Sequence, residues 1–116
     1  MAKILVCEDN YGIRELCLLL LKMNNYEVDA VLSKKDLFAR LKLFSPDLVL
    51  LAVSLAGYDG REICKEIKAL RKDIKVILFT PVTENLENYN DCSVDGIIEK
   101  PFTVKNILQL IEVVLE

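Results

Sequence analysis

Strand-like and helix-like stretches alternate five times along the 116 residues, which predicts an α/β fold: a five-stranded parallel sheet between two layers of helices. Three observations carry this. Short apolar runs stop abruptly at polar residues, and a stretch with apolar residues at helical spacing follows each of the first three. The third run, Leu48-Val49-Leu50-Leu51, is apolar on both faces, as a central parallel strand must be. The connections between runs and stretches are short, and short links with right-handed crossovers give parallel strands.

The elements follow in order. Lys3 to Cys7 reads as a buried strand that stops at charge. From Asp9 or Asn10 as N-cap, Ile13, Leu16, Cys17 and Leu20 recur at helical spacing, and Asn24-Asn25 offer a left-handed stop. Leu18, Leu19 and Leu21 widen the apolar face, so more than one side of this helix is expected to be covered. Tyr26 to Leu32 is the second strand. Ser33 caps a helix through Leu37, Leu41 and Phe44 that Pro46 ends, and Asp47 to Val53 is the third strand. A loop from Ser54 to Gly60 leads to a helix carrying Ile63, Ile67 and Leu70. Ile74 to Phe79 is the fourth strand and Gly96-Ile97-Ile98 a short fifth. Between them, Thr83 to Cys92 is poor in helix formers, with Asn85, Asn88 and Asn90, so a short or distorted fourth helix is expected. Val104, Ile107, Leu108, Ile111 and Val114-Leu115 make the last helix, with one side expected for the core and the other for an oligomer face.

Composition narrows the function classes. A net charge of −3 gives no overall electrostatic case for nucleic acid or an anionic membrane. The basic pairs Lys34-Lys35 and Arg71-Lys72 are too short for a phosphate-tracking stripe. Four scattered cysteines without a Cys-x-x-Cys pair, and no histidine, argue against a disulfide framework or a zinc site and for buried, reduced thiols. No apolar run approaches the ~18 residues of a membrane span. One soluble, cytoplasmic domain over residues 1–116 is expected.

Glu8, Asp9, Ala52, Thr80 and Lys100 all fall at carboxyl ends of strands, where open parallel sheets bind ligands. Clustered carboxylates suit a hard cation, and a hydroxyl and an ammonium suit phosphoryl oxygens. Each position has a plainer reading. Glu8-Asp9 could be a helix-start cluster, Thr80 a turn residue, Lys100 a solvated lysine. Their shared location favours one pocket, with Lys100 paired to Asp9 or Glu8. Tyr58 and Tyr89 read as surface or partner-facing residues.

With Ile4-Leu5-Val6-Cys7-Glu8-Asp9-Asn10, Pro46-Asp47-Leu48-Val49-Leu50-Leu51, Gly57-Tyr58-Asp59-Gly60, Thr80 and Lys100-Pro101-Phe102 in this order, the chain resembles the receiver domain of two-component response regulators over essentially its whole length. The resemblance implies a flavodoxin-like, CheY-like (βα)5 fold with strand order 2-1-3-4-5. It implies that Glu8, Asp9 and the backbone carbonyl of Ser54 help hold Mg²⁺, and that an aspartate at position 52 accepts the phosphoryl group. Thr80 and Lys100 would contact that group, and an aromatic residue at position 97 would report it.

This sequence departs from that pattern at several places. Ala52 replaces the acceptor, Ile97 the aromatic rotor, and Ala56 stands where the family usually has proline. A carboxylate nucleophile is the one group such a site cannot do without. Two origins are open, a natural loss or an engineered exchange of an acceptor aspartate; several departures together favour the natural one. The expectation is therefore a non-enzymatic signalling module with weak Mg²⁺ affinity. It would act through protein contacts with a histidine kinase, partner or output domain, on the face of the fourth helix, fifth strand and fifth helix. A homodimer and an output domain beyond residue 116 fit this reading. Two other readings are a different acceptor (Asp9, Glu8, Ser54 or Thr80) and a flavodoxin-type small-molecule binder. The second is disfavoured because Glu8-Asp9-Asn10 would repel a phosphate at the first turn.

Overall fold

A computed structural model describes residues 1–81, 92–100 and 103–116, with the backbone alone at Pro81 and Lys100. The elements are β1 (Lys3–Cys7), α1 (Tyr11–Met23), β2 (Glu27–Val31), α2 (Lys34–Phe44), β3 (Leu48–Ala52), β4 (Ser54–Leu55), β5 (Tyr58–Asp59), α3 (Gly60–Leu70), β6 (Lys75–Pro81), β7 (Gly96–Lys100) and α4 (Val104–Leu115). Five parallel strands lie in the order β2-β1-β3-β6-β7, the expected order once the small β4-β5 pair is set aside. The expected fourth helix, with Asn85, Asn88, Tyr89 and Asn90, lies outside the described residues, as do Pro101 and Phe102.

Side-chain alternation sorts the sheet into two cores. Leu5, Cys7, Val49, Leu51, Val76 and Leu78 point to the layer of α2 and α3, meeting Leu37, Leu41, Ile63 and Ile67. Their neighbours Ile4, Val6, Leu48, Leu50, Ile77 and Phe79 point to α1 and α4, meeting Cys17, Leu21, Ile107 and Ile111. β3 is buried along its whole length, which is why both its faces are apolar.

The helix ends follow the expected chemistry. The Asn10 side chain accepts the Ile13 N–H at 3.0 Å, Ser33 accepts the Asp36 N–H at 3.2 Å, and Thr103 accepts the Asn106 N–H at 3.1 Å. Asn25 takes the left-handed conformation after α1, and Ser45 takes it before Pro46, where a helical residue would clash with the proline ring.

Four details differ from the sequence reading. β6 runs on to Pro81 and β7 to Lys100, because their ladder continues past the last apolar residue through Thr80 opposite Glu99. The stretch from Ser54 to Gly60 is a hairpin and helix start, not an open loop. Leu21 is buried, yet Leu19 is 60% exposed, so nothing in the described chain covers that side of α1. On α4, Ile107 and Ile111 are buried while Val104 and Val113 are exposed, the two-sided character expected. All four cysteines are buried, reduced thiols. Among the described residues no helix is long and apolar enough to cross a membrane.

Candidate functional site

The carboxyl ends of β1, β3 and β6 meet at one edge of the sheet. Cys7 lies opposite Leu51, so Glu8 and Ala52 leave their strands side by side. Ala52 lies opposite Phe79 on its other flank, and Thr80 is the next residue along. Glu8 is only 2% exposed. Its N–H donates to the Val31 carbonyl at 3.2 Å, its carboxylate accepts the Asn10 N–H at 3.2 Å, and its carbonyl accepts from the Arg14 guanidinium at 3.1 Å. Asp9 is exposed, and its Oδ2 accepts the Ala56 N–H at 3.1 Å. Ala52 is 2% exposed and presents a methyl group; Thr80 is fully buried.

That Ala56 contact comes from the hairpin. Ser54-Leu55 pairs antiparallel with Tyr58-Asp59, leaving Ala56-Gly57 as a two-residue turn. Both turn residues have positive φ, 48° at Ala56 and 88° at Gly57, the signature of a primed turn whose twist matches its strands. A proline at position 56 could not adopt this φ and would carry no N–H for Asp9. Ala56 therefore makes both the turn and the bond possible. Ser54 is exposed at the start of β4.

The hairpin also sets the start of α3. Asp59 caps the helix, accepting the Arg61 N–H at 2.9 Å and two bonds of 3.0 Å from its guanidinium. Those bonds hold the Asp59 carboxyl below its usual range. Gly60 packs against the Ala52 and Val53 backbone and donates to the Val53 carbonyl at 2.6 Å. A Cβ there would overlap the Ala52 carbonyl oxygen. Between hairpin and helix lies a cleft of about 260 Å³, lined by Val53, Ser54, Gly57, Tyr58, Asp59 and Arg61. Tyr58 is exposed, with the Lys34 ammonium 5.1 Å from its ring centre.

Glu8, Asp9, Ala52 and Thr80 are thus at one edge, and the Ser54 hairpin is bonded to it through Asp9. The backbone of Lys100 ends β7 opposite Pro81; its side chain lies outside the described residues. Ile97 is half-buried opposite Leu78 and packs into the core on the α2/α3 side. The sequence reading did not find the Ala56 amide or the Asp59–Arg61 pair. Only Gly57 among the turn residues is one that favours positive φ.

Receiver domains typically bind Mg²⁺ at the acceptor site, a role that asks for several well-placed oxygens. Asp9 is engaged by an amide, position 52 offers no side-chain oxygen, and Glu8 is buried against the Asn10 N–H. Among the described residues, no three His, Cys, Asp or Glu side chains stand close enough to hold an ion. These residues do not fit a resident Mg²⁺, which needs six oxygens in near-octahedral array, several of them waters held by well-placed carboxylates.

Comparison with known proteins agrees with this geometry at the level of the family. The response regulator receiver domain matches residues 4–112. The transcriptional regulatory protein ResD of Bacillus subtilis is 29% identical over 115 residues, covering 97% of this chain and 48% of its own length. The chain thus spans about half the length of the curated relatives it matches. The receiver domain of NtrX from Brucella abortus superposes with a TM-score of 0.90 at 26% identity, covering 97% of each chain. CheY4 of Vibrio cholerae superposes with a TM-score of 0.89 over 98% of each chain; at 23% identity that likeness shows the fold. A match that spans nearly the whole chain, on a sheet with this strand order, places it: the chain belongs to the response regulator receiver domain family.

Proposed function

We propose that this chain is the receiver unit of a two-component response regulator in which Ala52 stands at the acceptor position, so that it signals through protein contacts without accepting a phosphoryl group itself. The observation that carries the reading is the place of Ala52. It is the last residue of β3, beside Glu8 and opposite Phe79, and it offers no nucleophile. The origin favoured is natural loss, since Ile97 and Ala56 depart from the family pattern along with it. Thr80 and Lys100 are then remnants of the phosphoryl contacts. Glu8, Asp9 and the Ser54 carbonyl are remnants of a metal site.

The partners of this reading are a histidine kinase and an output domain, one that follows residue 116, in the cytoplasm. Docking would use β7, α4 and the segment between β6 and β7, with a second copy of the chain as a further occupant. In this reading the domain has no enzymatic role of its own and does not bind nucleic acid. A phosphoryl switch biases a pre-existing two-state equilibrium. Without an acceptor, a partner must supply that bias.

Intact mass after incubation with Mg²⁺ and a small phosphodonor tests this, with Ala52→Asp in parallel. A gain of one phosphoryl group by the variant alone supports the reading. No gain by either protein leaves a pure docking module with a degenerate site. A gain by the native protein would mean that Asp9, Glu8, Ser54 or Thr80 accepts, and would overturn it.

A further inference from the structure

We infer that the Ala56 amide takes the place of a cation at the Asp9 carboxylate, so that the β4-β5 hairpin latches the acidic edge of the sheet shut. The inference rests on the reading of this edge as a former metal and phosphoryl site. Its evidence is the bond itself. The Ala56 N–H donates to Asp9 Oδ2 at 3.1 Å across 47 positions of sequence, joining the turn after β3 to the end of β1.

The latch comes at a cost to the backbone. Alanine is disfavoured at φ 48°, where its Cβ crowds the following carbonyl, yet the turn holds it there. The left-handed pair is tied on both sides, by Leu55 opposite Tyr58 and Ser54 opposite Asp59. Beyond them Asp59 caps α3 and the Gly60 N–H donates to Val53. The amide is therefore presented by an ordered frame. Its bond to a carboxylate is charge-assisted, stronger than one between neutral groups.

A divalent ion approaching Asp9 finds Oδ2 already accepting this bond, and must either compete with the donor or bind a carboxylate whose charge the amide partly satisfies. Two features then keep the edge metal-poor: the missing oxygen at position 52 and the occupied carboxylate of Asp9. Restoring an aspartate at 52 corrects only the first. Ala56→Pro corrects the second, because the ring removes the N–H and fixes φ near −65°.

The test is calorimetric titration of Mg²⁺ into Ala52→Asp, Ala52→Asp/Ala56→Pro and Ala52→Asp/Ala56→Gly, each checked for a cooperative melt in EDTA. The proline double variant should bind about tenfold more tightly than Ala52→Asp alone, the scale set by one charge-assisted bond. The glycine double variant keeps the N–H and should bind no more tightly than Ala52→Asp. Equal Kd values for Ala52→Asp and the proline double variant would overturn the latch. So would equal tightening by glycine, which would assign the effect to turn flexibility. Hydrogen exchange at the Ala56 amide gives a second reading should the proline variant not fold. Asp9→Ala should speed that exchange about tenfold, and an unchanged rate would refute the bond. None of these outcomes depends on phosphoryl transfer, so a mass gain by the native protein would sink the functional reading and leave the latch to be judged by its own data.

Discussion

Placing a carboxylate at position 52 should destabilise the metal-free protein, and the size of the loss follows from the strand register. Cys7 lies opposite Leu51, so an aspartate at 52 emerges beside Glu8, which is 2% exposed. Neighbouring strands are about 4.8 Å apart, which brings the two carboxylates to roughly 4 Å. Two like charges at that distance cost about 4 kcal/mol at an effective dielectric near 20. Rotation of the new side chain toward solvent relieves part of this, leaving about 2–4 kcal/mol. For a chain of this size the melting temperature of Ala52→Asp in EDTA at pH 7.5 should fall by about 8–16 °C. The pH dependence has a definite sign. Repulsion raises the folded pKa of the new carboxyl above its unfolded value near 4, so the penalty is absent below about pH 4. It grows as pH rises and levels off above the raised value. Ala52→Asn, of similar shape and without charge, should lose little, and Mg²⁺ should recover the aspartate variant by neutralising the pair. Equal melting temperatures for native and Ala52→Asp in EDTA would refute the reasoning. A deficit as large at pH 4 as at pH 7.5, or shared by Ala52→Asn, would make the cause steric.

Three further outcomes are open to direct measurement. Gly60→Ala should cost about 2–3 kcal/mol in urea unfolding, because its Cβ would overlap the Ala52 carbonyl oxygen and stand 2.9 Å from the Val53 Cα. Asp59→Ala should cost about 1 kcal/mol through the lost cap of α3; in the native protein the Asp59–Arg61 contribution should fade as pH falls below the ordinary carboxylate value. Burial, with Cys92 beside it, pushes the Cys64 thiol up to about 12, so stability should decline once pH rises above about 9, where the unfolded thiol ionises first. A shallower decline from pH 8 to 10.5 in Cys64→Ala than in the native protein would assign the difference to this group, the buried Cys7 thiol, also raised, keeping a share of the decline in both.

The elements and their layering were legible because they rest on local signals, whereas the strand order came with the resemblance to the receiver family. Asn10 and Ser33 are cap residues by type, and Leu48 to Leu51 can be buried on both faces only in a central strand. What escaped depends on distant contacts or on a conformation that residue type does not announce. Ala56 carries no left-handed preference, so the turn it forms with Gly57 reads as loop. Its bond to Asp9 spans 47 positions, and the Lys68–Asp95 pair at 2.7 Å spans 27. Consecutive leucines at 18 and 19 show that a helix is apolar, yet not which side finds a partner; Leu19 remains 60% exposed. At the candidate site, Glu8, Asp9, Ala52 and Thr80 were placed from strand ends alone, since parallel strands finish together. The engagement of Asp9 had no counterpart in the sequence pattern.

The fastening of α3 at both ends has a mechanical consequence. Its start is fixed to the hairpin by Asp59 and to Val53 by the Gly60 amide. Toward its other end, Lys68 donates to the Ile74 carbonyl and to Asp95, both at 2.7 Å, and the Cys64 thiol donates to the Cys92 carbonyl at 3.1 Å. Asp95 in turn accepts the Val76 N–H at 2.8 Å, immediately before β7. Eleven residues at 1.5 Å each make α3 a rod of about 16 Å between these anchorages. Held at both ends and packed into the core through Ile63, Cys64 and Ile67, it ties the hairpin beside the acidic edge to the residue that precedes β7, so the two ends of the sheet share one rigid brace.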